Sequence, residues 1–420
     1  MKEIKVGKLK NDVQIRVPGS KSDTHRALIA AALSDGKSRL TRVLDSEDTR
    51  LTRQALVQLG AVMGTSEDGL FVEGTGGVLK PCRVPLYLGN SGTSMRLLTA
   101  VAALGIGEYL LFGTERMHQR PIGDLLDGLS QIGAAAKAET AGGCPPVRVQ
   151  GGRPEGGRVI LDCSVSSQFL SALLLIGPYT RNGIDVSISN GPVSRPYIDM
   201  TVRVMTRFGV SVQREEYRRF HVSGGQVYRS RDYGIEPDAS QAGYFWAAAA
   251  VTGKRVKVCG IAGDSVQGDA RFPEVLEKMG CRVNREPDGI TVEGGSLVGI
   301  QTDMGDMPDL VPTLAVVAAF AEGETLIGNV AHLRAKESDR LAAVSTELKK
   351  MGVAAEATED ALLVRGGRPK AAVIETYDDH RMAMSFAVAG LRVPGIAIEN
   401  ERCVDKSFPD FWEVFAQLYE

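Results

Sequence analysis

Ala55-Leu56-Val57-Gln58-Leu59-Gly60-Ala61 reads as the last turn of an amphipathic helix closed by a glycine. The same phrase returns as Leu129-Ser130-Gln131-Ile132-Gly133-Ala134, Met205-Thr206-Arg207-Phe208-Gly209-Val210, Leu276-Glu277-Lys278-Met279-Gly280-Cys281 and Leu348-Lys349-Lys350-Met351-Gly352-Val353. The residue just past a helix end often needs the left-handed conformation, which glycine adopts without a Cβ penalty. One such glycine says little, but five spaced 71–76 residues apart mark an internal repeat. A sixth helix, 410–418, ends the chain where the next glycine would fall.

Working outward, each repeat carries a second helix of small apolar residues: 24–33, 93–104, 168–176, 242–251, 311–321 and 381–391. Being apolar nearly all round, these read as buried. The glycine-terminated helices, such as 337–351, carry charge on one face and read as half-solvated. Strands are expected between them, at 13–17, 110–112, 147–150, 185–188 and 255–258. Six strand–helix–strand–helix units imply an α/β (α+β) protein of two domains with three units each. The natural seam is the polar stretch 229–236, and the strand before Pro18 can join either half.

Composition narrows the function classes. A chain of 420 residues exceeds one ordinary core. A formal net charge of −2 argues against a nucleic-acid-binding protein, although 49 Lys and Arg leave room for a local basic pocket. The six cysteines show neither C-x-x-C spacing nor a nearby His at a metal-ligand offset, so free thiols, no metal and a cytoplasmic setting are expected. No secretory signal is visible near Met1, and the longest mostly apolar stretch, 310–321, is too short to span a bilayer, so no membrane role is expected.

Chemistry concentrates where the buried helices begin. Pro18-Gly19-Ser20-Lys21-Ser22-Asp23-Thr24-His25-Arg26 opens the first and Leu88-Gly89-Asn90-Ser91-Gly92-Thr93-Ser94-Met95-Arg96 the second. Cys163-Ser164-Val165-Ser166-Ser167-Gln168, Glu236-Pro237-Asp238-Ala239-Ser240 and Tyr377-Asp378-Asp379-His380-Arg381 open the third, fourth and sixth. Ser, Thr, Asn and Asp at such places are ordinary N-caps. A helix N-terminus also presents unpaired N–H groups and partial positive charge, and so attracts phosphate or carboxylate. Lys21, Arg26 and Arg96 add full charges, each charge-assisted bond contributing about 1.5–3 kcal/mol. Arg96 lies on an otherwise apolar helix, and a buried Arg calls for an anionic partner.

These loops, with Arg120-Pro121-Ile122-Gly123, Ser194-Arg195-Pro196-Tyr197-Ile198-Asp199, Lys336-Glu337-Ser338-Asp339-Arg340, Asp379-His380-Arg381-Met382-Ala383-Met384 and Asp405-Lys406-Ser407-Phe408-Pro409-Asp410, resemble the signature segments of the 5-enolpyruvylshikimate-3-phosphate synthases. They occur in order from Pro18 to Lys406. The resemblance implies the two-domain enolpyruvyl transferase fold, each domain holding three βαβαββ repeats around a pseudo-threefold axis, an inside-out α/β barrel. One domain would comprise 1–18 with 236–420, on the phosphoenolpyruvate side. The other would comprise 19–235, on the 3-phosphoshikimate side, with the active site in the cleft between them.

The family reaction transfers the carboxyvinyl group of phosphoenolpyruvate to the 5-hydroxyl of 3-phosphoshikimate by addition and elimination, on the shikimate route to chorismate and the aromatic amino acids. It releases phosphate and needs no cofactor. Carried over by resemblance, the 3-phosphoshikimate site uses Lys21, Ser22, Arg26, Ser166, Ser167, Gln168, Ser194, Tyr197, Asp309, His332 and Lys336. The phosphoenolpyruvate site uses Lys21, Asn90, Gly92, Thr93, Arg96, Arg120, Gln168, Arg340, His380, Arg381 and Lys406. Asp309 is the expected base at the hydroxyl and Glu337 the proton shuttle at carbon, with Lys21 as its rival. The resemblance also names glyphosate as an inhibitor, and we expect a monomer. Leu97 stands where many members have Pro, and His332 where many have Asn.

Three other readings are weaker. The related transferase acting on UDP-N-acetylglucosamine carries a Lys-Asn pair near its N-terminus and a reactive Cys before Arg-Pro; here the residues are Lys21-Ser22 and the Cys-free Glu115-Arg116-Met117-His118-Gln119. A non-catalytic polyanion-binding scaffold would leave Asp309 and Glu337 unexplained. A nucleotide kinase is weaker still, because Gly74–Lys80 lacks the phosphate-loop spacing.

Overall fold

All five repeat glycines take positive φ: +115° at Gly60, +80° at Gly133, +84° at Gly209, +109° at Gly280 and +74° at Gly352. Each closes its helix in the same way. The glycine N–H bonds the carbonyl three residues back, as in Gly60 to Val57 at 3.0 Å, and the next N–H reaches five residues back, as in Ala61 to Leu56 at 3.1 Å. This is the Schellman pairing, which satisfies carbonyls a helix end would leave bare.

The computed structural model describes residues 1–420 and divides into two compact units, Gly19–Ile235 and Met1–Pro18 with Glu236–Glu420. Each has its own apolar core. Five four-stranded sheets repeat one pattern, in which a leading strand pairs parallel to the second and the remaining two pair antiparallel. In the second repeat, Leu86–Tyr87 runs parallel to Gly107–Phe112, which pairs antiparallel with Val147–Gly151 and through it with Ala135–Ala138. Tyr109 faces Val149 and Leu111 faces Val147, all four buried, so the alternation that fills the core also fixes register. The sixth sheet has three strands, Lys2–Glu3, Ala397–Ile398 and Val373–Ile374.

Two leading strands come from distant chain. Asp12–Ile15 pairs with Arg255–Cys259, whereas Asp232–Gly234 pairs with Lys37–Thr41. The stretch 229–236, read from its polarity as a seam, therefore contains an edge strand. Its composition hid it because a three-residue edge strand buries little.

The buried helices are Lys21–Leu33, Gly92–Ala103 and Gln168–Ile176 in the continuous unit, and Ala239–Thr252, Val311–Ala318 and His380–Gly390 in the other. In the discontinuous unit all three pack against one another, and in the continuous unit Gly92–Ala103 packs on both of the others. Val311–Ala318 ends three residues earlier than its apolar run, where Ala321 N–H bonds Ala318 O and Gly323 turns the chain at φ +90°. The solvated helix of the fifth repeat starts at Arg340 rather than Glu337, because Asp339 caps it by accepting from Ala342 N–H at 3.1 Å. Glu337 thus lies in the loop before the helix.

Candidate active site: cation-rich clusters in each unit

In the continuous unit the helix starts hold their charged residues by short-range geometry. Ser20 caps Lys21–Leu33 by accepting from Asp23 N–H, and Lys21 Nζ meets Asp48 Oδ2 at 3.1 Å with both side chains buried. Ser94 Oγ bonds Asp48 O, tying that pair to the next helix start. Arg26 is buried among neutral oxygens: Thr201 Oγ1 at 2.6 Å, Ser22 O at 2.9 Å and Tyr197 O at 3.1 Å. Burial lowers its pKa to about 10, against the raising fields of Asp23 and Tyr197. Ser22, Arg26 and Tyr197 are thereby brought together, and Tyr197 N–H bonds Ser194 O at 3.2 Å, where Ser194 has φ +54°.

A second network covers the start of Gly92–Ala103. Arg120 Nη1 donates to Asn90 O at 2.9 Å and to Asn90 Oδ1 at 3.1 Å. Its guanidinium lies so close to Gly92 that a Cβ there would meet Nη2 at 2.4 Å. Gly92 is therefore needed for space, since its φ is helical. Arg96 donates to Gln168 Oε1 at 2.8 Å and Pro121 O at 3.0 Å, with its guanidinium over the Phe169 ring at 5.4 Å. Gln168 Nε2 in turn donates to Thr93 Oγ1 at 3.0 Å, and Gln168 N–H bonds Ser166 Oγ at 3.2 Å. Ser166 and Ser167 are both buried beside it.

In the discontinuous unit the centre is Asp309, in the turn Pro308–Leu310. Its Oδ1 accepts from Arg340 Nη1 at 2.9 Å and its Oδ2 from Arg381 Nη2 at 2.8 Å. Arg340 also donates to Glu337 Oε2 at 2.9 Å and, through Nε, to Asp379 Oδ2 at 2.8 Å. Asp379 caps His380–Gly390 through Arg381 N–H and accepts from Ser338 Oγ at 3.0 Å. Arg381 Nη1 donates to Tyr244 OH at 2.9 Å. Burial opposes the charge on Arg340, but Asp379, Glu337 and Asp309 outweigh it and raise its pKa. Arg381 likewise stays charged against burial, through Tyr244 and Asp309.

Around this cluster, His380 is fully buried with Nδ1 3.7 Å from Asp379 Oδ1. Burial, assisted by Lys336, lowers His332 to about 3, so it acts as a neutral imidazole. Lys406 is buried at the end of Glu401–Lys406, a turn packed on His380–Gly390. Reading the sequence did not single out Asp48, Tyr244 or Asp379 as partners of the cations. Asp379 had a signal, its place before His380-Arg381. Asp48 lies 27 residues from Lys21 and Tyr244 137 from Arg381, with nothing local to link them.

Buried helices that start in cation-rich polar loops, with a carboxylate held between two arginines, suit a transferase of anionic substrates such as an enolpyruvyl transferase. An enolpyruvyl transferase from Streptomyces tendae, NikO, shares the fold at TM-score 0.78 and 20% identity over 99% of this chain and 96% of its own. Residues 5–415 match the model of the EPSP synthase (3-phosphoshikimate 1-carboxyvinyltransferase) family, and the chain belongs to that family. It is 45% identical to the 3-phosphoshikimate 1-carboxyvinyltransferase of Methanoculleus marisnigri, over 96% of each chain. It is 46% identical to that of Serratia proteamaculans, over 96% of this chain and 95% of the other. The EPSP synthase structure from Acinetobacter baumannii aligns with TM-score 0.82 and 30% identity, covering 99% of this chain and 98% of that one.

Proposed function

We propose that the two half-sites together carry out carboxyvinyl transfer, with Asp309 released from its arginines by the incoming substrate. The activity is that of a 3-phosphoshikimate 1-carboxyvinyltransferase in aromatic amino acid biosynthesis. Phosphoenolpyruvate gives up its carboxyvinyl group to the 5-hydroxyl of 3-phosphoshikimate, and phosphate leaves. The observation that carries the assignment of roles is the double pairing of Asp309 with Arg340 and Arg381.

Both guanidiniums suit the bidentate geometry of a carboxylate. On this reading the carboxylate of phosphoenolpyruvate takes Arg340 and Arg381 and displaces Asp309, which turns to the 5-hydroxyl as general base. Its resting ion pairs then serve as a latch that keeps the base idle until the donor arrives. Glu337 delivers a proton to the methylene carbon and later recovers one from the new methyl group. Its bond to Arg340 supports that role, since on this reading Arg340 holds the same carboxylate. Lys21 is the rival donor, and its Asp48 partner holds it at the opening of a buried helix.

The remaining residues divide by chemistry. Lys21, Ser22, Arg26, Ser166, Ser167, Gln168, Ser194, Tyr197, His332 and Lys336 take 3-phosphoshikimate. Lys21, Asn90, Gly92, Thr93, Arg96, Arg120, Gln168, His380 and Lys406 join the two arginines around phosphoenolpyruvate. The reading requires both units to reach one bound pair of substrates. Glyphosate, which carries a carboxylate and a phosphonate, competes for the donor's place, and the enzyme works as a cytoplasmic monomer.

Asp309→Ala tests the core of the reading. Turnover should fall about 10²–10⁴-fold, the usual weight of a general base, with 3-phosphoshikimate binding by calorimetry little changed. A folded Asp309→Ala protein with ordinary turnover would remove Asp309 as the base.

A further inference from the structure

Behind Asp309 and Arg381 lies a carboxylate to which the reaction above assigns nothing. Asp269 sits in the short turn Gly268–Arg271, which packs on the buried helix Ala239–Thr252. It is 4% exposed. The Ser240 hydroxyl donates to its Oδ2, while no hydrogen-bonding group of the protein reaches its buried Oδ1. An ionised carboxylate buried with one bare oxygen is costly, whereas the neutral acid is tolerated far better.

The surrounding charges point the same way. From the helix Ala239–Thr252 and its cap come Ser240, Tyr244 and Asp238, the last accepting from Gln241 N–H at 3.0 Å. From the turn Pro308–Leu310 comes Asp309, itself held by Arg340, and from His380–Gly390 comes Arg381. Arg271, on the turn that carries Asp269, is turned outward to Asp306 at 3.4 Å. Asp238, Asp269 and Asp309 thus crowd one guanidinium, Arg381, whose two terminal nitrogens are committed to Tyr244 and Asp309. Burial, then the field of Asp309, raises Asp269 to about 7, with Asp238 adding to them and Ser240 and Arg381 opposing.

We propose that Asp269 is a positioning residue that holds a proton in the resting enzyme and so leaves the full charge of Arg381 for Asp309 and then for phosphoenolpyruvate. When Asp269 loses that proton, its new negative charge competes for Arg381 and weakens the grip on the donor carboxylate. This makes the affinity for one substrate pH-dependent through a side chain that does not touch it. The inference rests on the reading that Arg381 binds phosphoenolpyruvate.

Asp269→Asn mimics the protonated acid and cannot ionise. With 3-phosphoshikimate saturating, the KM for phosphoenolpyruvate is measured for both proteins from about pH 6 to about pH 8.5, and their ratio cancels the ionisation of the substrate. The wild-type KM should rise at least about fivefold more than that of Asp269→Asn across this range, with the kcat ratio nearly flat. Ser240→Ala removes a bond that favours the ionised form, so its KM rise should move to higher pH. A KM ratio constant with pH, or a Ser240→Ala curve superimposed on wild type, overturns the proposal.

Thermal unfolding gives a readout that does not involve substrate. The folded pKa of Asp269 is raised above its unfolded value, so the folded state keeps a proton the unfolded state has lost, and wild-type stability falls from about pH 4 to about pH 7 relative to Asp269→Asn. A Tm difference that does not grow over this range shows Asp269 to be ionised and overturns the proposal. If instead the Tm arm holds while Arg381→Ala leaves the KM for phosphoenolpyruvate unchanged, it is the assignment of Arg381 that fails, and the positioning role falls with it.

Discussion

Asp379 shows how much one side chain can hold: it accepts from Arg340 Nε at 2.8 Å, Ser338 Oγ at 3.0 Å and Arg381 N–H at 3.0 Å while fully buried. Removing one partner of a buried ion pair leaves the other charge uncompensated. Asp379→Ala should therefore cost about 3–5 kcal/mol in urea unfolding. Because Arg340 would be freed to move, the KM for phosphoenolpyruvate should rise as well. Loss of stability without any KM change would confine Asp379 to capping its helix. His332 gives a pH-dependent counterpart. Its folded pKa of about 3 lies below the unfolded value, so below about pH 6.5 the unfolded state binds the extra proton and stability falls with acid. His332→Asn should gain on wild type by about 1–3 kcal/mol between pH 6.5 and pH 4, measured by urea unfolding at each pH. A pH-independent difference would mean that His332 is not buried as a neutral ring.

At the scale of elements, the repeat glycines are not equivalent. A Cβ at Gly280 would meet Ser296 O at 2.3 Å, at φ +109°, whereas at Gly352 the nearest atom is a flexible Lys370 carbon at 3.7 Å, at φ +74°. Gly352→Ala pays only for the left-handed backbone, about 1–2 kcal/mol. Gly280→Ala adds a clash with backbone and should cost about 1–3 kcal/mol more, as seen by the denaturation midpoint. Equal costs for the two would show that the Ser296 segment yields freely. These helix ends were legible in the sequence because a Schellman closure is local, written within six residues. So were the six buried helices, whose runs of small apolar residues carry few charges. The strand Asp232–Gly234 was not legible, because its only partner, Lys37–Thr41, lies almost two hundred residues earlier in the chain. The partners Asp48, Tyr244 and Asp269 were hidden for the same reason. Sequence shows which residues are charged, but the pairing of charges is set by tertiary contacts between repeats.

Across the whole molecule, the two cation-rich clusters belong to separate compact units, with Lys21, Arg96, Arg120 and Gln168 in one and Asp309, Glu337, Arg340 and Arg381 in the other. In the bonds described above, the arginines differ between the units, although Lys21 of the first is itself paired with Asp48. Arg26, Arg96 and Arg120 donate to neutral oxygens, while Arg340 and Arg381 are paired with carboxylates. On the proposed reading the first set meets 3-phosphoshikimate without involving Asp309, and that ligand should bind there with little dependence on the other unit. On the proposed reading phosphoenolpyruvate, or glyphosate in its place, displaces Asp309, so it should bind well only once 3-phosphoshikimate is bound. Hydrogen exchange tests this order. With 3-phosphoshikimate alone, protection should appear mainly at amides 20–26 and 166–171. Adding glyphosate should extend it to 309–314 and 379–384, and raise global stability by about 2.7 kcal/mol at a hundredfold excess over Kd. Glyphosate alone should protect neither segment strongly. Equal protection of 309–314 by glyphosate in the absence of 3-phosphoshikimate would show that Asp309 is no latch, and that the arginines of this unit bind the donor unaided.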